Sequence, residues 1–330
     1  MLMKWRREMV VLKYDLSDIS LFTRQVSGMV CDTHFLDLPM DSAQDVSLGL
    51  LRKHMVDVAQ VVSCPISRKP QPLTIRNGVI LYCTSTYHHH YVNTQVSFDE
   101  YLKKFKSKTR STLKRKVAKL CPDGSENTSF RKYATESEIE SFIALAAIVS
   151  EKTYQHHLFN RGMPQSKEFI EATRKQAKQG RVRGYLLCHN QKPIAYTFGP
   201  MFGNGVFLFD YNGYDPEYSK LSPGNVLQYK TIEDLCSDPV VKTYDLCVGE
   251  NEHKLLFSSA SQYCADFLIF EKTVKNMSLV LSNLAVTLIS RFLGNILRFL
   301  RLKSWLKKLI RRSSGSEIGA ESQDDSSGGV

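Results

Sequence analysis

The residues best suited to chemistry lie where an aromatic run, Phe207-Leu208-Phe209-Asp210-Tyr211, gives way to a loop and then to a helix start at Ser222-Pro223-Gly224. Ser222 suits an N-cap, Pro223 the first helical position, and Gly224 a close approach of a ligand to the backbone. A helix start reached from a strand carries unpaired N–H groups and the positive end of the helix dipole, so phosphate binds there. Nucleotide or coenzyme binding is the leading expectation. Asp210, Tyr211, Tyr214 and Asp215 stand beside that loop. A carboxylate and phenols could move a proton there, although a solvated carboxylate and a ring packed over the sheet also fit Asp210 and Tyr214. Asp215-Pro216 is in addition a good turn starter. Asp245 alternates with apolar neighbours, so it reads as an acid/base group or as a paired, buried carboxylate.

Other candidates carry less. His88-His89-His90 invites a metal reading, but adjacent strand side chains point to opposite faces and three in a row do not easily reach one ion. Cys247 has no histidine at a recognisable spacing to activate it and reads as core. The eight cysteines form no C-x-x-C pair, which argues against a zinc site and against a disulfide framework, and fits a reducing compartment. The chain has 330 residues, 42% of them hydrophobic, enough for one large core or two modest ones. A net charge of +11 implies anionic partners. The N-terminus has no apolar run of signal-peptide length, which predicts a cytoplasmic protein.

The elements that must position these residues follow from periodicity and punctuation. Within 1–95, 34–38 and 79–87 read as strands and 42–54 as a helix. Residues 97–120 read as a long basic helix opened by a Ser97/Glu100 capping box and bent or interrupted near Ser107. A strand at 130–134 is followed by a helix from a Thr135/Glu138 capping box to about 155 and another over 166–179, ending at Gly180. Three β runs separated by Asn190-Gln191 and Gly203-Asn204-Gly205 predict a meander. Then come a helix over 223–236, a strand over 243–249, a helical or irregular stretch at 252–259, and a strand over 265–271. The order from 130 is β-α-α-β-β-β-α-β-α-β.

That order is the one expected of a GNAT-type N-acetyltransferase, and the segments 97–120, VSEKTYQ, RGYLLCHNQKPIAYTFG, 209–235 and YDLCVGENEHKLLF carry a closer resemblance. Together they resemble the acetyltransferase family associated with bacterial cellulose and other exopolysaccharide biosynthesis, the CelD/BcsL-like group, itself related to the FemAB/FemX peptidyltransferases. The match spans about 97–272. The resemblance implies an α/β (α+β) GNAT fold, a mixed, mostly antiparallel sheet flanked by helices and preceded by a partial GNAT-like unit. Its units would be 1–95, a GNAT acyltransferase domain over 96–275, a basic amphipathic segment over 276–312 and a disordered tail over 313–330.

The resemblance further implies acetyl-CoA or another acyl-CoA as co-substrate, with no metal. The pantetheine arm would lie along 206–212, including Phe209 and Tyr211, and the pyrophosphate on 219–226, including Ser222, Gly224, Asn225 and Val226. Where the family's loop has two glycines, this chain has only Gly224. By the same resemblance Lys254 would neutralise phosphate or stabilise an oxyanion, although His253 precedes it where relatives carry Tyr, and Arg110 would clamp an anionic substrate. The candidate catalytic set is Asp210, Tyr214, Asp245 and Lys254.

Residues 277–312 contain no acidic side chain and place Leu288, Phe292, Ile296, Phe299, Leu306 and Ile310 on one helical face. The apolar run before Arg291 falls short of the roughly 20 residues a spanning helix needs. The expectation is an interfacial helix on an anionic membrane, with a helix docked on the protein's own core or on a partner as the alternative. The reading is an acyltransferase working on a small-molecule, saccharide- or lipid-linked acceptor. Its rivals are a FemX-like enzyme using aminoacyl-tRNA and a non-catalytic scaffold.

Overall fold

The computed structural model describes residues 3–16, 19–122, 127–153 and 162–299. A hairpin of two long strands, β1 (Trp5–Leu16) and β2 (Ile19–Cys31), leads into a covering layer of two 3-10 turns, Phe35–Asp37 and Ser42–Asp45, and helix α1 (Leu48–His54). Strands β3 (Val58–Pro65), β4 (Leu73–Arg76) and β5 (Val79–Asn93) follow, then helices α2 (Phe98–Leu102) and α3 (Ser107–Leu120). β6 (Thr128–Tyr133), α4 (Glu136–Glu151), α5 (Lys167–Lys178), β7 (Val182–His189), β8 (Lys192–Phe202), β9 (Val206–Leu208) and β10 (Tyr211–Tyr214) come next. The chain continues through α6 (Pro223–Ser237), β11 (Thr243–Asp245), α7 (Glu252–Phe257) and β12 (Ala260–Glu271) to α8 (Val274–Phe299).

Among the described residues twelve strands join one sheet in the order β1-β2-β3-β12-β5-β11-β9-β8-β7-β6, with β4 on β5 and β10 on β8. The pairs are antiparallel except β2–β3 and β9–β11. This is the mixed, mostly antiparallel sheet flanked by helices expected of a GNAT fold. β12 lies between β3 and β5, so among the described residues the last strand returns to the strands near the N-terminus and one sheet runs through the whole array.

Local signals account for many boundaries. Glu138 takes the Thr135 backbone N–H in a capping box, and Ser97 and Ser166 accept from the backbone three residues on. Asn190 and Gln191 both have positive φ, the type I′ geometry that suits the β7–β8 turn. Layers form on both faces. Ile139, Phe142 and Ile143 of α4 pack on Leu186, Tyr196 and Phe198. On the other side Leu113, Val226 and Ile232 pack on Tyr185, Phe207 and Tyr244.

Two expectations are corrected. Residues 34–38 form a 3-10 turn, because Phe35 and Leu38, three apart, both point inward while Leu36 is exposed. The basic segment 97–120 carries the interruption expected near Ser107, between Leu102 and Ser107, and so forms two helices. The strand expected over 243–249 stops at Asp245, for reasons that belong to the site. The N-terminal hairpin had no counterpart in the sequence reading.

The C-terminal helix is docked for its first turns. Leu279 and Val280 are buried against Val10, Leu12, Tyr82 and Phe270, and Asn283 bonds Tyr82 and the Lys13 carbonyl. Beyond them Leu288, Ile289 and Phe292 are exposed. The rest of the segment expected to lie on a membrane, from 300, and the tail at 313–330 lie outside the described residues. Among the described residues no helix is long and apolar enough to cross a membrane.

Candidate active site

The site is built on a break in one strand. β9 and β10 both run along β8, but the chain bulges at Phe209-Asp210 between them. Gly199 of β8 permits the bulge: a Cβ there would lie 1.8 Å from the Leu208 carbonyl oxygen. β11 runs parallel to β9 through Asp245, and the last bond of that pairing is Phe209 N–H to the Asp245 carbonyl at 2.8 Å. Beyond it the strands part. β10 stays on β8, and Asp215 N–H still reaches the Ile194 carbonyl at 2.8 Å. Since antiparallel residues alternate in the direction of their peptide groups, Asn212 and Tyr214 turn theirs to the open side.

On the β11 side the chain leaves the ladder because the Asp245 carboxylate takes the Cys247 N–H at 2.8 Å and Cys247 adopts a left-handed φ of 62°. Gly249, at φ 99°, completes the turn. Asn251 then caps α7 by accepting the Lys254 N–H at 2.8 Å. The Lys254 side chain folds back under the turn. Its Nζ donates to the carbonyls of Val248 at 2.8 Å and Cys247 at 3.2 Å, and the residue is 9% exposed. Burial lowers its pKa, with Cys247 and Asp245 acting in the opposite sense.

The start of α6 closes the wedge. Its first turn has few free donors: Pro223 has none, Ser222 N–H goes to Ser219, and Asn225 and Val226 N–H both return to the Ser222 carbonyl. Among the described residues this leaves Gly224 N–H. The ring of Tyr214 lies 3.4 Å from where a Gly224 Cβ would be. His253 lies between Phe209 and Phe257, with ring centroids 6.3 and 4.9 Å away. Burial lowers its pKa, and a hydrogen bond to the Gly224 backbone opposes the shift. Asp210 stands exposed at the mouth, yet desolvation by the surrounding protein raises its pKa.

The structure thus brings Tyr214, Ser222, Gly224, Phe209, Asp210 and Lys254 around one wedge. Asn225 and Val226 belong to the same helix start, Val226 as core. Tyr211 turns to the opposite layer, against Phe169 and Phe198. Asp215 is buried and caps the turn Pro216–Leu221, with Lys152 on its carboxylate at 2.7 Å. Arg110 is half-buried on the first turn of α3, a helix packed beside α6. Six basic residues of α3 (Lys108, Arg110, Lys114, Arg115, Lys116 and Lys119) have no ion-pair partner among the described residues.

Asp245 faces away from the Tyr244 side of β11. It is 2% exposed and holds two histidines, His34 Nε2 at 2.9 Å and His89 Nε2 at 2.6 Å. Burial pushes its pKa up, but the hydrogen bonds from His34 and His89 prevail and hold it well below the usual carboxylate range. His89 Nδ1 continues to Ser63 Oγ at 3.0 Å, Ser63 to Tyr87, and Tyr87 to Asp266. His90 turns to the other face, its Nε2 3.6 Å from Glu250. Among the described residues no group of three His, Cys, Asp or Glu could hold a metal. The sequence reading missed His34, His89 and His253 as members of these clusters. Only His253 carried a signal, as the neighbour of Lys254.

The wedge thus joins a strand broken by a bulge, a parallel neighbour that departs from it and a helix starting at the gap. Residues 107–255 match the family described as an acetyltransferase (GNAT) domain. No curated protein matches the chain. Among solved structures, the C-terminal domain of a protein designated a lysylphosphatidylglycerol synthetase from Agrobacterium fabrum is 12% identical, with a TM-score of 0.48 over 79% of this chain and 84% of its own. FemX is 10% identical, with a TM-score of 0.45 over 80% and 88%. A tandem GNAT protein from the clavulanic acid biosynthesis pathway is 12% identical, with a TM-score of 0.37 over 76% and 78%. The GNAT-type segment contains the whole wedge, from α3 through Lys254.

Proposed function

We propose that the protein transfers an acyl group, acetyl in the first instance, from acyl-CoA to an amine or hydroxyl of a saccharide- or lipid-linked acceptor. The observation that carries this reading is the wedge between β10 and β11, opening onto the start of α6 within the acetyltransferase-like segment. The amides of a pantetheine arm would add to the free peptide edge at Asn212 and Tyr214 as an extra strand. The pyrophosphate would lie at Gly224, with the basic α3 alongside. The acceptor's lone pair attacks the thioester carbonyl carbon, the C–S bond breaks, and the thiolate takes up the proton the acceptor gives up. Lys254 uses two of its three N–H donors on carbonyls, and the third remains for an oxygen that becomes negative. Asp210, with its raised pKa at the mouth, suits proton transfer. Asp245, ionised and enclosed, acts as a positioning residue for the turn that carries Cys247 and Val248.

The unpaired cations of α3 and the sparse first turn of α6 favour a second donor, aminoacyl-tRNA. Calorimetric titration with acetyl-CoA and with CoA, repeated on Gly224→Val, separates the two. Saturable binding that the valine abolishes upholds the first reading. No binding of either by folded protein, with salt-sensitive tRNA binding, replaces it with the second.

The cellular place that fits is the cytoplasmic face of a membrane. The support is the exposed row Leu288, Ile289 and Phe292 beyond the docked part of α8. Replacing all three by serine should reduce sedimentation with anionic vesicles without lowering Tm, since none is buried. Undiminished sedimentation would remove the membrane from this proposal.

A further inference from the structure

On the N-terminal unit, away from the wedge, a partly enclosed cavity of about 350 Å³ opens between the loop after β3 and the edge strand β4. Its floor is apolar: Ile66, Leu81 and Phe267 are core residues that are 3%, 3% and 4% exposed. Its walls carry Arg68, Lys69 and Arg76. None of these three has an acidic partner at ion-pair distance among the described residues, and Arg76 reaches only the Gln44 amide oxygen, at 3.4 Å. The wall is held in place. Asp41 sits at a left-handed φ of 59° and uses its carboxylate on Ser67, 2.6 Å from the hydroxyl and 3.3 Å from the N–H, while its own N–H bonds the Pro65 carbonyl at 2.8 Å. A left-handed aspartate is costly unless the surroundings fix it. Here it anchors the base of the loop that presents Arg68 and Lys69.

Three unpaired cations around a concave, apolar-floored space attract an anion more strongly than the same charges on an open surface, because low-dielectric walls focus their field. Arginine pairs of this kind suit the planar or tetrahedral oxygens of carboxylate and phosphate. The volume lies at the lower end of the range for small-molecule sites. We propose that this cavity binds a phosphomonoester whose phosphate meets Arg68, Lys69 and Arg76 and whose ring or chain covers Ile66, Leu81 and Phe267. The inference is independent of the acyl-transfer reading.

The probe is 2-naphthyl phosphate titrated calorimetrically into the full chain, with 2-naphthol as the uncharged control. Saturable binding of the phosphate, at least roughly tenfold weaker in the double variant Arg68→Ala/Arg76→Ala, is expected from the loss of charge-assisted hydrogen bonds. Both arginines are exposed, and Thr74→Trp, on the exposed edge strand, is a second variant that should weaken binding by filling the cavity. Gly224→Val should bind the probe as the wild type does, which keeps this site separate from the donor wedge. Sedimentation with phosphatidylcholine vesicles containing phosphatidic acid distinguishes the sources. A loss in the double variant assigns a lipid headgroup, and no change assigns a soluble phosphomonoester. Failure of the wild type to bind naphthyl phosphate, or equal binding by wild type and both cavity variants, overturns the proposal.

Discussion

Asp245 should be one of the most destabilising positions in the chain to truncate, for a reason readable from its partners. Its carboxylate is 2% exposed and accepts from His34, His89 and the Cys247 N–H at 2.9, 2.6 and 2.8 Å. Asp245→Ala removes all three bonds and leaves two imidazole nitrogens and a backbone N–H buried without their partner. Breaking a buried ionic cluster in this way costs about 3–5 kcal/mol. With a urea m-value of roughly 3 kcal/mol/M, the midpoint should fall by about 1–1.7 M. The acid limb carries an independent signature. The folded-state pKa of Asp245 is depressed, so its contribution is present above the unfolded carboxylate value of about 3.9 and is lost as pH falls below it toward the folded value. Asp245→Asn keeps the shape and removes the titration, so its stability should vary less than that of the wild type below about pH 4. The assay is urea unfolding followed by tryptophan fluorescence and circular dichroism from neutral pH downward. A cost under about 1 kcal/mol for the alanine, the scale of an exposed ion pair, would refute the account. So would parallel acid limbs for wild type and Asp245→Asn.

Two further substitutions test the wedge itself. Lys254→Met should lower the rate of CoA thiol release from acetyl-CoA about a hundredfold, the scale of losing one oxyanion donor, and Lys254→Arg should not restore it, because the longer planar head does not fit under the 247–248 carbonyls. Activity within a few-fold of wild type in the methionine variant would exclude Lys254 from the chemistry. Gly199→Ala should cost roughly 3 kcal/mol or more and weaken donor binding, since its Cβ would collide with the Leu208 carbonyl and close the bulge. A Tm and donor affinity like the wild type's would mean that the bulge does not hold the wedge open.

What was legible in the sequence was local. The Thr135/Glu138 capping box, the Asn190-Gln191 hairpin, the Ser97 cap and the Asp215 turn each depend on residues within four positions of one another, and each is found where the spacing predicts it. That Phe209, Asp210, Tyr214 and Gly224 come together was legible for the same reason: they lie within sixteen residues of chain. What was not legible is long-range. His34 and His89 meet Asp245 across 211 and 156 residues, and no spacing rule links them. From the sequence Asp245 reads as either catalytic or buried, because alternation places a side chain on a face but does not say what else is on that face.

The same contrast explains the strand that ended early. Residues 243–249 have the apolar, β-branched and aromatic content of a seven-residue strand, and the ladder takes only three of them. Local propensity is a weak force here beside one tertiary event. The Asp245 carboxylate, fixed by histidines from the N-terminal unit, captures the next available N–H at Cys247 and turns the chain, and Lys254 then satisfies the two carbonyls the turn exposes. The wedge therefore owes one of its walls to residues outside the acetyltransferase-like segment 107–255. The N-terminal unit supplies His34 and His89 to fix Asp245, and it pairs β5 against β11 to hold that strand in place. The segment 107–255 cut free of it would lose the geometry of the wedge along with half of its sheet.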